Sequence, residues 1–329
     1  KYWGKSDIQI PKNTSISFTL NKCLTNTKLD FSKKKNNSEF VDFDIYFNEQ
    51  LKLDFKPKIQ SFFERILKYC PYILSYKFKI NTSNTFPHSS GIASSASGIS
   101  ALALCIMSLE KLINPKISDD YFYMKASFLS RLGSGSACRS LKGSVNLWGT
   151  HSSFNTSSNL YSIEFPYKVH DIFNTYHDAV LLVDKGVKTV SSTVGHNLMN
   201  SHPFADKRFQ IAQHNIDKLS AILKNGDTNE FVKLVEDEAL MLHGLMMTSD
   251  PSYILIKSKT LQIIDSIREF RSKNNIPVCF TLDAGANVHV LFPDKYSDRV
   301  YDFIERNLKI HCENNSYIRD CVGFGAKQL

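Results

Sequence analysis

The chain has 329 residues, 42% hydrophobic and 22% charged, room for two ordinary domains or one large one with a core that needs no covalent staples. Its longest nearly apolar stretch, Gly98 to Leu109, meets Glu110 and Lys111, short of the roughly 20 residues of a membrane span, so a soluble globular chain without a membrane partner is expected. The 7 cysteines are scattered and never form a C-x-x-C pair, and the net charge is +8; the first argues against a disulfide framework or zinc site and for a reducing, cytoplasmic setting, the second weakly for phosphates and more weakly for nucleic acid.

Lys1-Tyr2-Trp3-Gly4-Lys5 reads as the inside of an element and not as a signal peptide, so further N-terminal sequence is expected before it. Ser15 to Leu20 and Phe40 to Phe47 alternate apolar and polar residues, the period of half-buried strands. The run Lys33 to Asn37 between them is expected to be a solvated hairpin turn. From Ile99 the period changes. Ile99, Leu102, Ile106, Leu109 and Ile113 form the stripe of an amphipathic helix stopped by Asn114-Pro115. A second helix is capped by Ser118, carries Asp119 and Asp120 in its first turn and ends at Gly133. A strand is expected at Ser144 to Trp148, a polar loop at Thr150 to Leu160 and a buried strand at Ala179 to Val183. Phe209 to Leu223 reads as a helix ending at Asn225-Gly226, and Thr228 opens another through Met241. Val278 to Leu282 and Val288 to Phe292 read as strands joined by Asp283-Ala284-Gly285-Ala286-Asn287, and Asp298 to Asn307 as helical. This is a mixed α+β pattern in two halves.

Three stretches carry chemistry. Pro87 to Gly98, rich in small residues, runs into the Ile99 helix. A loop entering a helix N-terminus offers unpaired backbone N–H groups and a dipole that suit phosphate oxygens, and Ser94 or Ser95 could add a hydroxyl to phosphate or metal. It is not the lysine-containing P-loop, and a capped turn without a ligand explains it as well. Gly133-Ser134-Gly135-Ser136-Ala137-Cys138-Arg139-Ser140 combines glycines that let backbone approach a ligand, two serines and an arginine fork suited to carboxylate or phosphate; the plain alternative is a helix cap and a turn. Cys138 reads as a packed small side chain. Asp283, at a strand end, could orient or deprotonate a hydroxyl, although an Asx-turn accounts for it too. His88, His196, His243 and His289 stand singly and read as surface or satisfied core residues, so no protein-ligated transition metal is expected.

Together and in this order, the stretches resemble the diphosphomevalonate decarboxylases of the GHMP small-molecule kinase superfamily. The opening Lys1 to Lys5 with Pro11 to Ser17 is similar to that family's first signature. The loop from Asn84 through Gly98 resembles the superfamily phosphate pattern, and Gly133 to Ser140 the more specific decarboxylase G-S-G-S-A-C-R-S. Val190-Ser191-Ser192-Thr193 and Asp283-Ala284-Gly285 complete the set. The resemblance implies an α+β, two-lobed fold, with a β/α nucleotide-binding lobe over residues 1–175 and a ferredoxin-like lobe over 176–329. It implies conversion of a 5-diphosphorylated mevalonate, with ATP and magnesium, to isopentenyl diphosphate, carbon dioxide, ADP and phosphate, by a protein that works as a homodimer.

On the same basis Asn84, Pro87, Gly91, Ala93, Ser94 and Ser95 would hold ATP, with magnesium bound through its phosphates near Ser94 and no protein-only metal site. Asp283 would face the 3-hydroxyl, Arg139 with Ser136 would grip the carboxylate, and Lys1 would place a charge near the reacting groups. Tyr2, Lys5, Ser134 and Ser192 would contact the substrate, and Lys188 is a further phosphate candidate on charge alone. The alternatives are a mevalonate 5-phosphate decarboxylase or mevalonate 3-kinase of the same fold, and more remotely a nucleic-acid-binding module, which the lack of aromatic residues among the basic runs disfavours.

Overall fold

The computed structural model describes residues 1–35, 39–87, 92–184, 186, 190 and 192–329, the side chain of Ser192 excepted. In chain order the N-terminal part contains β1 (Lys5–Ser6), β2 (Ile10–Pro11), β3 (Ser15–Phe18), β4 (Thr25–Lys33), β5 (Asp42–Phe47), β6 (Gln50–Leu51), α1 (Lys56–Ile66), β7 (Tyr76–Asn84), α2 (Ser94–Ile113), α3 (Asp119–Gly133), β8 (Val145–Trp148) and β9 (Ile163–Glu164). Then come α4 (Asp171–Asn174), β10 (His177–Leu181), α5 (Ser192–Leu198), α6 (Ala205–Asn225), α7 (Thr228–Met247), α8 (Ser258–Asn274), β11 (Cys279–Leu282), β12 (Val288–Phe292), α9 (Ser297–Phe303) and β13 (Tyr317–Cys321).

In the first lobe one sheet has the order β4-β7-β5-β6 and a smaller one β3-β8-β9. β7 lies between β4, its antiparallel partner, and β5, which runs parallel to it; the parallel pair is connected through α1, as a crossover requires. The hairpin expected at Lys33 to Asn37 is therefore a correction: Asn36 and Asn37 lie outside the described residues, but the strands on either side pair with β7 and not with each other. Alternation identifies a strand, whereas its partner depends on what else the sheet must cover. The helix α1 was also missed, although Ile59, Phe62, Phe63 and Ile66 are its buried face.

The ends of α2 and α3 follow their sequence signals. α3 is capped by Ser118, whose hydroxyl accepts from the Tyr121 N–H. α2 is long and apolar enough to cross a bilayer by composition, but Ile99, Leu102, Ala103, Ile106, Met107 and Leu109 are buried in the first-lobe core with residues of α1, α3, β5 and β7.

The second lobe has one antiparallel sheet in the order β11-β12-β10-β13. Helices lie between β10 and β11 and between β12 and β13, a ferredoxin-like arrangement. Alternation sends Ala179, Leu181, Phe280, Leu282, Val288, Val290 and Phe292 into a core shared with α8 and α9. The opposite face looks toward the first lobe. β10 begins two residues before the expected Ala179, because polar His177 and Asp178 are paired within the sheet with β12 and β13. The last helix starts at Ser297 and passes at Ile304–Leu308 into a π turn.

The lobes are fastened at the β13 end. Leu20 bridges Val322 and Lys142 bridges Gly325. Asp320, 1% exposed, accepts backbone N–H bonds from Asn21 (3.0 Å), Lys22 (2.8 Å) and Cys23 (2.7 Å). A carboxylate in such a nest fixes the first-lobe loop on the second-lobe sheet.

Candidate active site

A cleft of about 1820 Å³ runs between the lobes, against roughly 300–1,000 Å³ for a single small-molecule site, so it has room for two ligands side by side. The segment Lys1 to Lys5 forms part of its wall, held by buried contacts from far along the chain. Trp3 packs with Met199, Leu242 and Met246. The Gly4 N–H donates to His196 Nδ1 at 2.9 Å, and the His196 ring lies 4.5 Å from that of Tyr2 and 4.4 Å from that of Trp3. Burial, with Lys5 nearby, pushes the His196 imidazole down to about 3, so it is neutral and Nδ1 can accept.

Glu238 gathers a second set of bonds. It accepts from the Lys1 backbone nitrogen at 2.5 Å, from both Arg208 terminal nitrogens at 2.7 Å and from Asn215 at 2.7 Å. Arg208 Nη2 and Asn13 Nδ2 both donate to the Lys1 carbonyl, at 3.0 and 2.9 Å. With its backbone fixed in this way, Lys1 brings its ammonium to 2.8 Å from Asp283 Oδ1. The Asp283 carbonyl is in turn held by His243 Nε2 at 3.0 Å.

The serine and arginine loop is shaped by two close approaches. A side chain at Gly133 would come within 2.6 Å of Phe62 and 2.7 Å of Ile99, so the glycine lets α3 finish against α1 and α2. At Gly135 it would crowd Trp148 and the Tyr2 hydroxyl, at 3.0 and 3.1 Å. Gly135–Arg139 is one 3-10 turn that places Ser134, Ser136 and Arg139 on the cleft wall. Among the described residues neither serine hydroxyl has a hydrogen-bond partner. Arg139 donates to Ser15 Oγ at 2.9 Å and its Nε is buried with no hydrogen-bond partner among the described residues. Burial pulls the guanidinium below its ordinary value and Cys138 and Asp283 oppose it. An orphaned buried guanidinium nitrogen costs free energy until an anion satisfies it. The Cys138 thiol, fully buried, is pushed up to about 12 by desolvation, too high for a nucleophile at neutral pH.

At the far side of the cleft Ala93, in the left-handed region at φ 49°, starts α2 with no side-chain cap. The Ala96 and Ser97 N–H groups bond to the Ala93 carbonyl, which leaves the N–H groups of Ser94 and Ser95 at an uncapped helix start. Lys58 Nζ bonds to Ser95 Oγ. Burial, then Lys5, lowers its ammonium, and among the described residues no carboxylate pairs with it. Lys5 reaches Gln9 Oε1 at 3.1 Å and is likewise lowered by burial and then by Arg65. Lys1, Lys5, Lys58 and Arg139 all line the cleft.

Two family descriptions divide the chain between them. The diphosphomevalonate decarboxylase-like N-terminal domain matches residues 1–159, and the mevalonate 5-diphosphate decarboxylase C-terminal domain residues 179–324. The chain belongs to the diphosphomevalonate decarboxylase family. Among curated relatives, the diphosphomevalonate decarboxylase of Ganoderma lucidum is 26% identical over 92% of this chain and 78% of its own. The phosphomevalonate decarboxylase of Haloferax volcanii is 24% identical over 92% of this chain and 88% of its own. Among solved structures, mevalonate diphosphate decarboxylase from Staphylococcus aureus superposes with a TM-score of 0.82 at 25% identity, covering 99% of this chain and 92% of that one. MDDEF in complex with MVAPP, AMPPCP and magnesium gives 0.81 at 26%, covering 99% and 93%.

Within this family fold the cleft brings together Lys1, Tyr2, Lys5, Ala93, Ser95, Ser134, Ser136, Arg139 and Asp283. Ser94 is at the helix start but off the cleft wall. Asn84, turned to β4 where it accepts from Thr25 Oγ1 at 2.8 Å, and Pro87 are not among the residues that line the cleft. Gly91 and Lys188 lie outside the described residues, as does the side chain of Ser192; its neighbour Thr193 lines the cleft. Sequence reasoning missed Asn13, Lys58, His196, Arg208 and Glu238. Asn13 lies within the Pro11 to Ser17 signature, but nothing local marks the other four, whose partners stand from 30 (Arg208 and Glu238) to 237 (Lys1 and Glu238) positions away. Of the histidines read as surface or satisfied core residues, His196, His243 and His289 are buried and bonded to the Gly4 N–H, the Asp283 carbonyl and the Asp178 carboxylate respectively, and His88 lies outside the described residues.

Proposed function

We propose that the chain catalyses the ATP-dependent decarboxylation of mevalonate 5-diphosphate to isopentenyl diphosphate, with release of carbon dioxide, ADP and phosphate. The observation that carries this reading is the cleft's arrangement of Asp283, paired with Lys1, and Arg139, whose buried Nε has no partner among the described residues. Asp283 accepts the proton of the 3-hydroxyl as its oxygen attacks the γ-phosphorus. In the loose transition state of phosphoryl transfer, positioning matters more than basicity. The 3-phosphate then departs, positive character grows at C3, and the electrons of the bond to the carboxylate move into the new double bond. Arg139 with Ser136 holds that carboxylate in line, which is all the fragmentation needs. Tyr2, Lys5 and Ser134 on the cleft wall meet the remainder of the substrate.

The donor set fits a triphosphate: the Ser94 and Ser95 N–H groups at the α2 start and Lys58, none of which has a backbone or carboxylate acceptor among the described residues, and the Ser95 hydroxyl. Magnesium, when bound, neutralises charge on the phosphates. It would be held through the phosphate oxygens, with the hydroxyls of Ser94 and Ser95 at the α2 start as the nearest protein oxygens that could join them.

The purified protein is incubated with ATP, magnesium and, separately, mevalonate, its 5-phosphate and its 5-diphosphate, each labelled at the carboxyl carbon. Carbon dioxide and ADP from the diphosphate alone, abolished by Asp283→Asn, support the proposal. Turnover of the 5-phosphate alone would transfer it to the activity named for the Haloferax relative, and ADP without carbon dioxide would make the chain a kinase.

A further inference from the structure

The second-lobe sheet face that looks across the cleft carries a row of polar side chains to which the reaction above gives no task. With Ala179, Leu181, Phe280, Leu282, Val288 and Val290 directed to the helix side, alternation places Asp178 and Val180 of β10, His289 of β12 and Thr281 of β11 on the cleft side. One step beyond β11, Asp283 has the parity of Thr281. Asp178, Thr281, Asp283 and His289 all line the cleft.

The register orders them. His289 pairs with Thr281 on one side and Val180 on the other. Val180 packs against Phe86 and Ile92, which flank the phosphate loop, and Thr281 stands two residues before Asp283. His289 therefore lies on the sheet between the loop that takes the nucleotide phosphates and the carboxylate that takes the hydroxyl proton. Its Nδ1 is 2.8 and 3.1 Å from the two oxygens of Asp178. A carboxylate only accepts, so this bond fixes a hydrogen on Nδ1 and leaves Nε2 as the second, outward functional atom. Among the described residues nothing bonds to Nε2. Beside it, Thr281 Oγ1 is buried with no partner among the described residues. A buried Asp–His pair with a free ring nitrogen toward a cleft is more than core packing requires, since two apolar residues would fill the same space without desolvating charge.

We infer that His289, held by Asp178, is a further catalytic contact of this site, its Nε2–H donating a hydrogen bond to the phosphoryl group as it passes from ATP to the 3-hydroxyl. The inference rests on the phosphoryl-transfer reading of the cleft. In that step the bond from the substrate oxygen to phosphorus forms, the bond from phosphorus to the ADP oxygen breaks and the hydroxyl proton goes to Asp283. His289 keeps its proton throughout and stabilises charge on the equatorial oxygens.

The groups facing His289 favour the donor form. Burial works against its protonation, but the Asp178 carboxylate beside it and Asp283 further along outweigh burial and the opposing Lys1, so its pKa lies above the ordinary value. Asp320 on β13 is engaged by the N–H groups of Asn21 to Cys23. The Cys23 and Cys279 thiols are pushed up by burial and stay neutral. The cationic form is present below that raised value and is lost above it, which gives the activity an alkaline limb.

The test compares wild type with His289→Leu, His289→Gln and Asp178→Asn in the full-length chain, with mevalonate 5-diphosphate and magnesium present. It measures the affinity for ADP alone, the affinity for ADP with aluminium fluoride, which imitates the phosphoryl group in flight, and the pH profile of kcat. His289→Leu is expected to leave ADP affinity within twofold, to weaken the aluminium fluoride complex at least tenfold and to lower kcat by ten- to a hundredfold. His289→Gln, which keeps an N–H but cannot titrate, should lose the alkaline limb, and Asp178→Asn should move that limb to lower pH. Equal weakening of both complexes by His289→Leu, or an alkaline limb unchanged in both His289→Gln and Asp178→Asn, would overturn the inference. Should the leucine variant not fold, the last two pH profiles decide. Wild-type protein inert toward every mevalonate substrate would instead refute the phosphoryl-transfer reading, an outcome separate from any difference among the variants.

Discussion

Acid should loosen the Lys1 to Lys5 segment through one side chain. His196 is 8% exposed, accepts the Gly4 N–H on Nδ1 and has its pKa lowered from 6.5 to about 3. A histidine depressed in the folded state takes up its proton first in the unfolded chain. The stability it confers is complete above pH 6.5 and is lost as the pH falls toward the folded-state value. Each pH unit in that window is worth about 1.4 kcal/mol, so between pH 7 and pH 5 this group alone removes about 2 kcal/mol. The figure holds for any folded-state value below about 4, because the folded imidazole is then still neutral at pH 5.

His196→Asn keeps an oxygen where Nδ1 accepts and has nothing to titrate. Urea unfolding at pH 7 and pH 5 should show wild type losing about 2 kcal/mol more than this variant; the other histidines are common to both proteins and cancel. Because the segment carries Lys1, Tyr2 and Lys5, the KM for the mevalonate substrate should rise at pH 5 more steeply in wild type. Equal losses in the two proteins would show that His196 does not titrate across this window, and the account of how the segment is held would fail.

Arg139→Lys, which exchanges a planar fork for a point charge, should lower kcat/KM by about 100- to 1,000-fold, or about 3–4 kcal/mol, with the KM for ATP unchanged; a loss below fivefold would refute the carboxylate grip. Lys58→Met should raise the KM for ATP about tenfold, one charge-assisted contact's worth, and leave that for the mevalonate substrate unmoved in the same assay. Asp320→Ala strips the Lys22 and Cys23 N–H groups of their acceptor and leaves Asn21 only the Cys321 carbonyl, and should cost about 3 kcal/mol in urea unfolding. Gly133→Ala, whose new methyl would meet Phe62 at 2.6 Å, should cost about 1–3 kcal/mol, read as a lower Tm.

Much of the local structure was legible in the residues alone. Ser118 and Gly226 mark helix ends because capping and the left-handed C-terminal turn are decided within four or five residues. The small-residue loop before α2 and the serine and arginine loop after α3 announce their chemistry for the same reason, as does Asp283 at the end of β11. Pairing was not legible. That β4 and β5 both turn to β7 depends on a crossover some thirty residues long, and which residues meet Lys1 depends on how the lobes close. Glu238, Arg208 and His196 hold the first residues of the chain from positions far down the sequence, and His289 meets Asp178 across 111 positions. Local periodicity states which face of an element is apolar, so it sets helices, strands and core. A buried charge or a neutral imidazole is tolerated only beside its partner, and partners that distant are chosen by tertiary packing, which is why the motifs could be read from the sequence and the polar framework that aims them could not.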